Sequence, residues 1–192
     1  NALKLAQQVK KREMHVEIDG ENAFAPQYDC KKVFQFVMDI ASKIGSANHP
    51  EQALKLFLLA SQCADSCDMP LIAYELFSEA AILYENEIVE EKIKVRTLGD
   101  MIGTLMTCKN FSTEDYDNIT TKLCQYSAKL LKKPDQCKMI TLCSHLFCPP
   151  LCSDGTNRLE SMGFSGDEYL AVNKKSLECM KKAINVIRPA PI

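Results

Sequence analysis

Nothing in these 192 residues alternates polar and apolar side chains over a useful length, which leaves no strand from which to build a sheet. No run approaches about 18 consecutive apolar residues, and the N-terminus lacks the charged-then-greasy layout of a signal peptide, so a soluble, intracellular chain is expected. Charge of one sign is also missing. Lys and Arg number 23 against 25 Asp and Glu, for a formal net charge of −2, and no electrostatic footprint for nucleic acid stands out. Lys10-Lys11-Arg12, Lys132-Lys133 and Lys181-Lys182 are short clusters that read as solvated helix face. GxGxxG, GxxxxGK[ST], GxSxG and HExxH are all absent, so phosphate cradling and the common hydrolase mechanisms lack their usual parts.

What is present is helix. Ile72 to Ile88 carries Ile72, Ala73, Leu76, Phe77, Ala80, Ala81, Leu83, Tyr84 and Ile88 over two faces, and leaves Glu75, Ser78, Glu79, Glu85 and Asn86 on one narrow polar strip. A helix so widely apolar must be sandwiched between neighbours. Gln52 to Ala64 has the same breadth, and the short link between the two predicts an antiparallel pair stacked on further pairs.

The rest of the chain follows suit. Asn1 to about Glu17 is a helix expected to continue something upstream, since residue 1 is Asn and not Met. Tyr28 to Ile44 repeats apolar residues at helical spacing, with Gly45 placed as a C-cap. Asn48-His49-Pro50-Glu51 and Met69-Pro70 start the next two helices. Another runs from Glu90 to Thr107, with Gly99 and Gly103 expected to let a neighbouring helix approach. Ser112 to Asp115 resembles a capping box ahead of the stripe Tyr116, Ile119, Leu123, Tyr126 and Leu130. Lys133-Pro134 opens a helix ending at Phe147, and Ser165 to Glu168 caps the last, whose core side is expected to be Leu170, Leu177, Met180, Ile184 and Ile187. The irregular stretch 148–166 is rich in Pro, Gly, Ser and Asn and reads as functional or mobile.

Together these predict an all-α fold: a HEAT-like α-solenoid of about eight antiparallel helices, one segment over 1–192 cut from a longer solenoid. Solenoids present long grooves, so the architecture itself predicts a binding role. The ten cysteines read as reduced thiols, because Cys63, Cys124, Cys137, Cys143 and Cys179 lie in apolar helical pattern. Cys137, Cys143, His145, Cys148 and Cys152 form the best metal-like cluster, but no CxxC occurs, and Cys143 and His145, two apart on a helix, point roughly 200° from each other. No metal or cofactor is expected. His15 and His49 have no nearby nucleophile arranged with them, and catalysis is not expected.

Ala53-Leu54-Lys55-Leu56-Phe57-Leu58, the run AYELFSEAAILYENEI from Ala73, Lys129-Leu130-Leu131-Lys132-Lys133-Pro134-Asp135-Gln136, Ser144-His145-Leu146-Phe147 and Leu177 to Ala183 carry a resemblance. In this order they resemble the C-terminal part of the large solenoid subunit of retromer, the vacuolar protein sorting-associated protein 35 family. The likeness spans roughly Ala53 to Ala183, and its most specific word is LLKKPDQ. Family members often carry tryptophan after His-Leu-Phe, whereas this chain, which has no tryptophan, places Cys148 there.

The resemblance implies a non-catalytic scaffold without cofactors. Its concave side would grip the small metallophosphoesterase-fold subunit, vacuolar protein sorting-associated protein 29, within an assembly that sorts transmembrane cargo from endosomes. The arrestin-like subunit would be bound by an N-terminal region that these residues do not include. Endosome attachment would be peripheral, through other chains. Within the matching motifs, Tyr74, Glu75, Tyr84, Lys132, Lys133, Asp135, His145 and Phe147 are the expected contact or contact-positioning residues, aromatic anchors and flanking charges being what such surfaces use; Tyr84 and Phe147 also fit a purely core role. Two rival readings remain: a trafficking or regulatory helical-repeat adaptor that takes linear peptides in its groove, and a zinc or thiol enzyme built around Cys143 to Cys152.

Overall fold

The computed structural model describes the backbone of residues 2–19, 30–147 and 166–187, and side chains within 2–11, 30–147 and 174–186. Among the described residues the chain is all-α, with no strand. The described residues form eight helices in order: α1 (Ala2–Asp19), α2 (Cys30–Ser46), α3 (Pro50–Ser66), α4 (Pro70–Asn86), α5 (Glu91–Thr107), α6 (Thr113–Lys129), α7 (Lys133–Phe147) and α8 (Gly166–Ile187). They group into two compact units, Asn1–Glu85 and Asn86–Ile192. Successive helices pack as neighbours from α1 to α3 and from α5 to α8, which is the stacking of a HEAT-like α-solenoid.

In the first unit α2 packs on α1 and α3, and α1 also reaches α3. The apolar rows explain why: Val33, Phe34, Val37 and Ala41 of α2 are buried, as are Ala53, Leu54, Phe57 and Leu58 of α3. Between α3 and α4, Ser61 Oγ donates to the Ala73 carbonyl at 2.7 Å. The wide apolar face of α4 is filled as expected, with Ala73, Leu76, Phe77, Ala80, Ala81 and Tyr84 buried.

Both tight turns of this unit are made the same way. Asn48 and Asp68 adopt positive φ, 66° and 55°. Behind them His49 N donates to Ile44 O (3.3 Å) and Met69 N to Ala64 O (3.0 Å), the six-to-one bond of a Schellman motif. A proline then opens the next helix, so that Ser46-Ala47-Asn48-His49-Pro50 is repeated as Ser66-Cys67-Asp68-Met69-Pro70. Two expectations change here. Gly45 is not the cap residue but part of the last turn of α2, where a Cβ would meet Leu83 Cδ2 at 3.5 Å. Asn48 does not cap α3: the N-cap is His49, without a side-chain bond, and Asn48 serves the end of the preceding helix because it tolerates the left-handed conformation.

In the second unit α7 is the hub, packed against α5, α6 and α8. Leu98, Met101 and Leu105 of α5, Leu123 of α6, and Cys143 and Leu146 of α7 are fully buried. Tyr116 Oη donates to the Leu146 carbonyl at 2.8 Å. Ser112 caps α6 as expected, accepting from Asp115 N at 3.1 Å, while its hydroxyl donates to the Asp115 carboxylate at 2.6 Å.

The register of α8 departs from expectation. Leu177, Met180 and Ile184 are 51%, 42% and 54% exposed, and the residues turned inward are Ser176, Cys179 and Ala183. Both sets obey helical spacing, and the small one wins because it lets α8 lie close to α7, close enough for Ser176 Oγ to donate to Ser144 O at 3.2 Å. The side chains of Leu170 and Ile187, and the stretch 148–165, lie outside the described residues. Gly99 and Gly103 permit no close approach either, since a Cβ at each would meet nothing within 4 Å.

Candidate interaction surface

The word LLKKPDQ builds one corner of the second unit. Leu130 is buried and ends α6 in extended conformation, while Pro134 and Asp135 occupy the first turn of α7, where the fixed φ of proline and the negative charge both suit a helix start. Gln136 closes the corner, its side-chain amide donating to the carbonyls of Ala128 and Leu130. From α5, the Glu91 carboxylate accepts the backbone N–H of Leu131 at 2.6 Å. The backbone of the α6–α7 connector is therefore satisfied from both sides, and the Leu131 side chain is turned out, 80% exposed.

Val89, two residues before Glu91, is 83% exposed. Helical periodicity passes over both residues because they precede helices rather than lie in them; the available signal is an apolar residue directly before a helix start. Lys92, Lys129, Lys132 and Lys133 adjoin the Glu91–Leu131 bond in sequence, are exposed, and form no ion pair among the described residues. Two protruding apolar side chains with a cationic surround can fill a pocket on a folded partner and set its orientation.

The eight residues expected from sequence divide between the units. Tyr74, Glu75 and Tyr84 belong to α4, where Glu75 is exposed, Tyr74 half-buried and Tyr84 buried. Lys132 and Lys133 are exposed at the corner just described, and Asp135 is half-buried beside them. His145 is exposed, but lies 12 residues beyond Lys133, about 18 Å along α7 at the helical rise. Phe147 is buried with Ile140, Cys179 and Ala183. Tyr84 and Phe147 thus act on any surface only by supporting it.

In the first unit Cys63 Sγ donates to Leu3 O at 3.4 Å and Cys30 Sγ to Ala6 O at 3.6 Å, both on α1, and Cys63 also neighbours Cys67. Burial, and next the neighbouring Cys67, push the Cys63 thiol up to about 12. In the second unit Cys124 of α6, Cys137 of α7 and Cys179 of α8 gather at one apolar cluster. Donation to Cys143, followed by burial, holds Cys124 up at about 12, and donation to Cys124 raises Cys179. Cys143, receiving the Cys124 hydrogen bond, is held below the ordinary thiol value despite burial.

No group of three or more His, Cys, Asp and Glu that could hold a metal ion occurs among the described residues. Cys143 is fully buried toward α6 and His145 is exposed, as their spacing on one helix requires. Cys148 and Cys152 lie outside the described residues. No described helix is long and apolar enough to cross a membrane.

Comparison with known proteins extends the likeness beyond the quoted motifs. The family model described as vacuolar protein sorting-associated protein 35 matches residues 1–190. Vacuolar protein sorting-associated protein 35A of Arabidopsis thaliana is 37% identical over 175 residues, 90% of this chain and 20% of that protein. The 35B protein of the same plant is 40% identical over 131 residues, 68% of this chain and 16% of its own length. The Schizosaccharomyces pombe protein 35 is 35% identical over 136 residues, 71% of this chain and 15% of its own. The chain therefore spans a fifth or less of these relatives. Match and helical architecture agree: the chain belongs to the vacuolar protein sorting-associated protein 35 family.

Proposed function

We propose that this chain is a non-catalytic scaffold segment of the retromer cargo-sorting complex, continuous over 1–192, which docks the phosphoesterase-fold subunit, vacuolar protein sorting-associated protein 29. The corner of Leu131, Lys132 and Lys133 carries the reading: the Leu131 side chain, 80% exposed, stands on a hydrogen-bonded base that cannot retract it cheaply, and Val89, 83% exposed, lies two residues before the Glu91 that braces it. An apolar centre with a charged rim is the composition of a protein-binding patch, and membership of a protein-sorting family is in keeping with a role in an assembly.

In this reading the protein works at endosomes in retrograde transport toward the Golgi and plasma membrane, peripherally attached through the assembly. The arrestin-like subunit engages a part of the protein outside these residues. Titration of the chain with the phosphoesterase-fold subunit in a calorimeter tests the proposal. Binding is expected, weakened about tenfold or more by Leu131→Asp and by Lys132→Glu with Lys133→Glu. No heat and no co-elution with the unaltered chain would overturn it.

A further inference from the structure

The peptide group between Leu130 and Leu131 is held at both ends by side chains from two different helices. Its carbonyl, on Leu130, accepts from the side-chain amide of Gln136 in α7, and its N–H, on Leu131, donates to the Glu91 carboxylate of α5 at 2.6 Å. Leu130 has already left the helix, with φ −61° and ψ 147°, so this peptide must find its partners elsewhere. Fixed at one end, a peptide plane can still swing; fixed at both, it cannot. Leu130 is buried on one side of it, and Leu131 stands 80% exposed on the other.

The two clamps differ in kind. Gln136 comes from the helix that the connector enters, six residues on from Leu130, and closes a local turn. Glu91 is 40 residues from Leu131 and brings the start of another helix to bear on it. Lys92, Lys129, Lys132 and Lys133 adjoin this bond in sequence, yet among the described residues the Glu91 carboxylate pairs with none of them. A carboxylate placed to balance those charges would stand beside one of the lysines; this one is committed to the backbone. The neighbouring Glu90 is exposed and makes no cap bond with its side chain.

We propose that Glu91 is a positioning residue for docking: by fixing the Leu131 N–H it holds the Leu131 side chain outward, in the conformation that enters an apolar pocket with an acidic rim on the partner. The inference rests on the docking role proposed above and adds how the site is kept ready. A side chain already ordered as it will be bound loses less entropy on binding, so affinity rises without any contact by Glu91 itself. The sign of the effect separates this from plain electrostatics. Removing a negative charge from a cationic corner strengthens its attraction to an acidic rim, whereas removing a positioning bond weakens binding.

The test combines amide hydrogen exchange of the chain with calorimetric titration by the phosphoesterase-fold subunit. Glu91→Ala is expected to speed exchange at the Leu131 amide about tenfold or more, and to leave the Leu123 amide in the core of α6 as it was, which a general loss of stability would not do. It should also weaken binding about tenfold. Glu91→Gln loses the same charge but keeps an acceptor oxygen, and should fall between Glu91→Ala and the unaltered chain in both measurements. Glu90→Gln should leave the Leu131 amide as it was and should not weaken binding. In a Leu131→Ala background Glu91→Ala should weaken binding no further, because the side chain through which it acts is gone. Unchanged exchange at Leu131 overturns the inference, as do equal or tighter binding by Glu91→Ala, equal losses in Glu91→Gln and Glu91→Ala, or losses additive with Leu131→Ala. Absence of any binding by the unaltered chain, with Leu131 exchange still sped by Glu91→Ala, overturns the docking role instead, and the two failures are thereby told apart.

Discussion

The two units differ most in how they end a helix. In the first, α2 and α3 stop at left-handed Asn48 and Asp68, and backbone bonds close each turn on itself. In the second, α5 and α6 stop at Cys108 and Leu130 in extended conformation, with φ/ψ of −71°/138° and −61°/147°, and side chains from elsewhere must satisfy the backbone. A closed turn needs nothing from outside and presents little. At the extended α6–α7 connector Glu91 and Gln136 hold the backbone and Leu131 projects, while in the α5–α6 connector Ser112 caps α6 and Cys108 and Phe111 turn inward. Charge follows the same division: the first unit has eight Lys and Arg against twelve Asp and Glu, the second fifteen against thirteen. The proposed docking features therefore lie in the unit that has an open turn and the excess of basic residues.

The largest way to break this comparison is to ask whether both cores are equally tight. Phe57 is 1% exposed and Leu146 fully buried. Phe57→Ala is expected to cost about 3–5 kcal/mol and Leu146→Ala about 2–5 kcal/mol, read from denaturant midpoints. A cost for Leu146→Ala under about 1 kcal/mol would show that the open-turned unit is also loosely packed. Next comes alkali. Cys63 in the first unit and Cys124 in the second both hold their protons up to about 12, against an ordinary thiol value of 9.0. Above pH 9.0 the unfolded chain releases these protons first and so binds fewer than the native state, which makes stability fall as pH rises toward 12. Cys63→Val and Cys124→Val should each flatten that fall in a series of denaturant melts. A slope unchanged by both would mean that other groups govern it.

The bracketing of the open connector predicts a smaller effect. Gln136→Ala removes the donor shared by Ala128 O and Leu130 O and should cost about 1–2 kcal/mol. It should also weaken binding of the phosphoesterase-fold subunit more than it lowers stability alone accounts for, because Leu131 loses its support. Equal binding by the variant at a temperature where it remains folded would separate the corner from the docking surface.

Much of the fold was legible because helix boundaries are local. Pro50, Pro70, Ser112 and Pro134 each mark a start to within a residue or two, and wide apolar rows such as that of α4 permit one interpretation only. Where two rows on the same helix were both periodic, the sequence was ambiguous. Leu177, Met180 and Ile184 are larger and greasier than Ser176, Cys179 and Ala183, and pattern alone prefers them; only the approach of α7 reverses the choice. The site was less legible. Lys132 and Lys133 stand out as charges within a distinctive word, but Leu131 beside them looks like one more core leucine until the Glu91 bond fixes its backbone. The gathering of Cys124, Cys137 and Cys179 depends on three helices meeting, which no spacing along one of them can show.

The smallest effect tests the turn chemistry itself. Glycine is absent where the first unit needs a left-handed residue and present where the second has no use for it. Asn48 sits at φ 66° and is exposed, so Asn48→Gly relieves its conformational strain at little contact cost, though it adds freedom to the unfolded chain. Gly99 and Gly103 lie within α5 with open space where a Cβ would stand. Gly99→Ala and Gly103→Ala should each stabilise by about 0.4–1 kcal/mol, through the entropy of the unfolded chain and not through new contacts. For Asn48→Gly the two terms oppose, and a gain of no more than about 0.5 kcal/mol is expected. If alanine at 103 instead weakens partner binding while raising the melting temperature, then the bare backbone of α5 is itself approached by the partner, and the docking surface extends from the Leu131 corner along that helix.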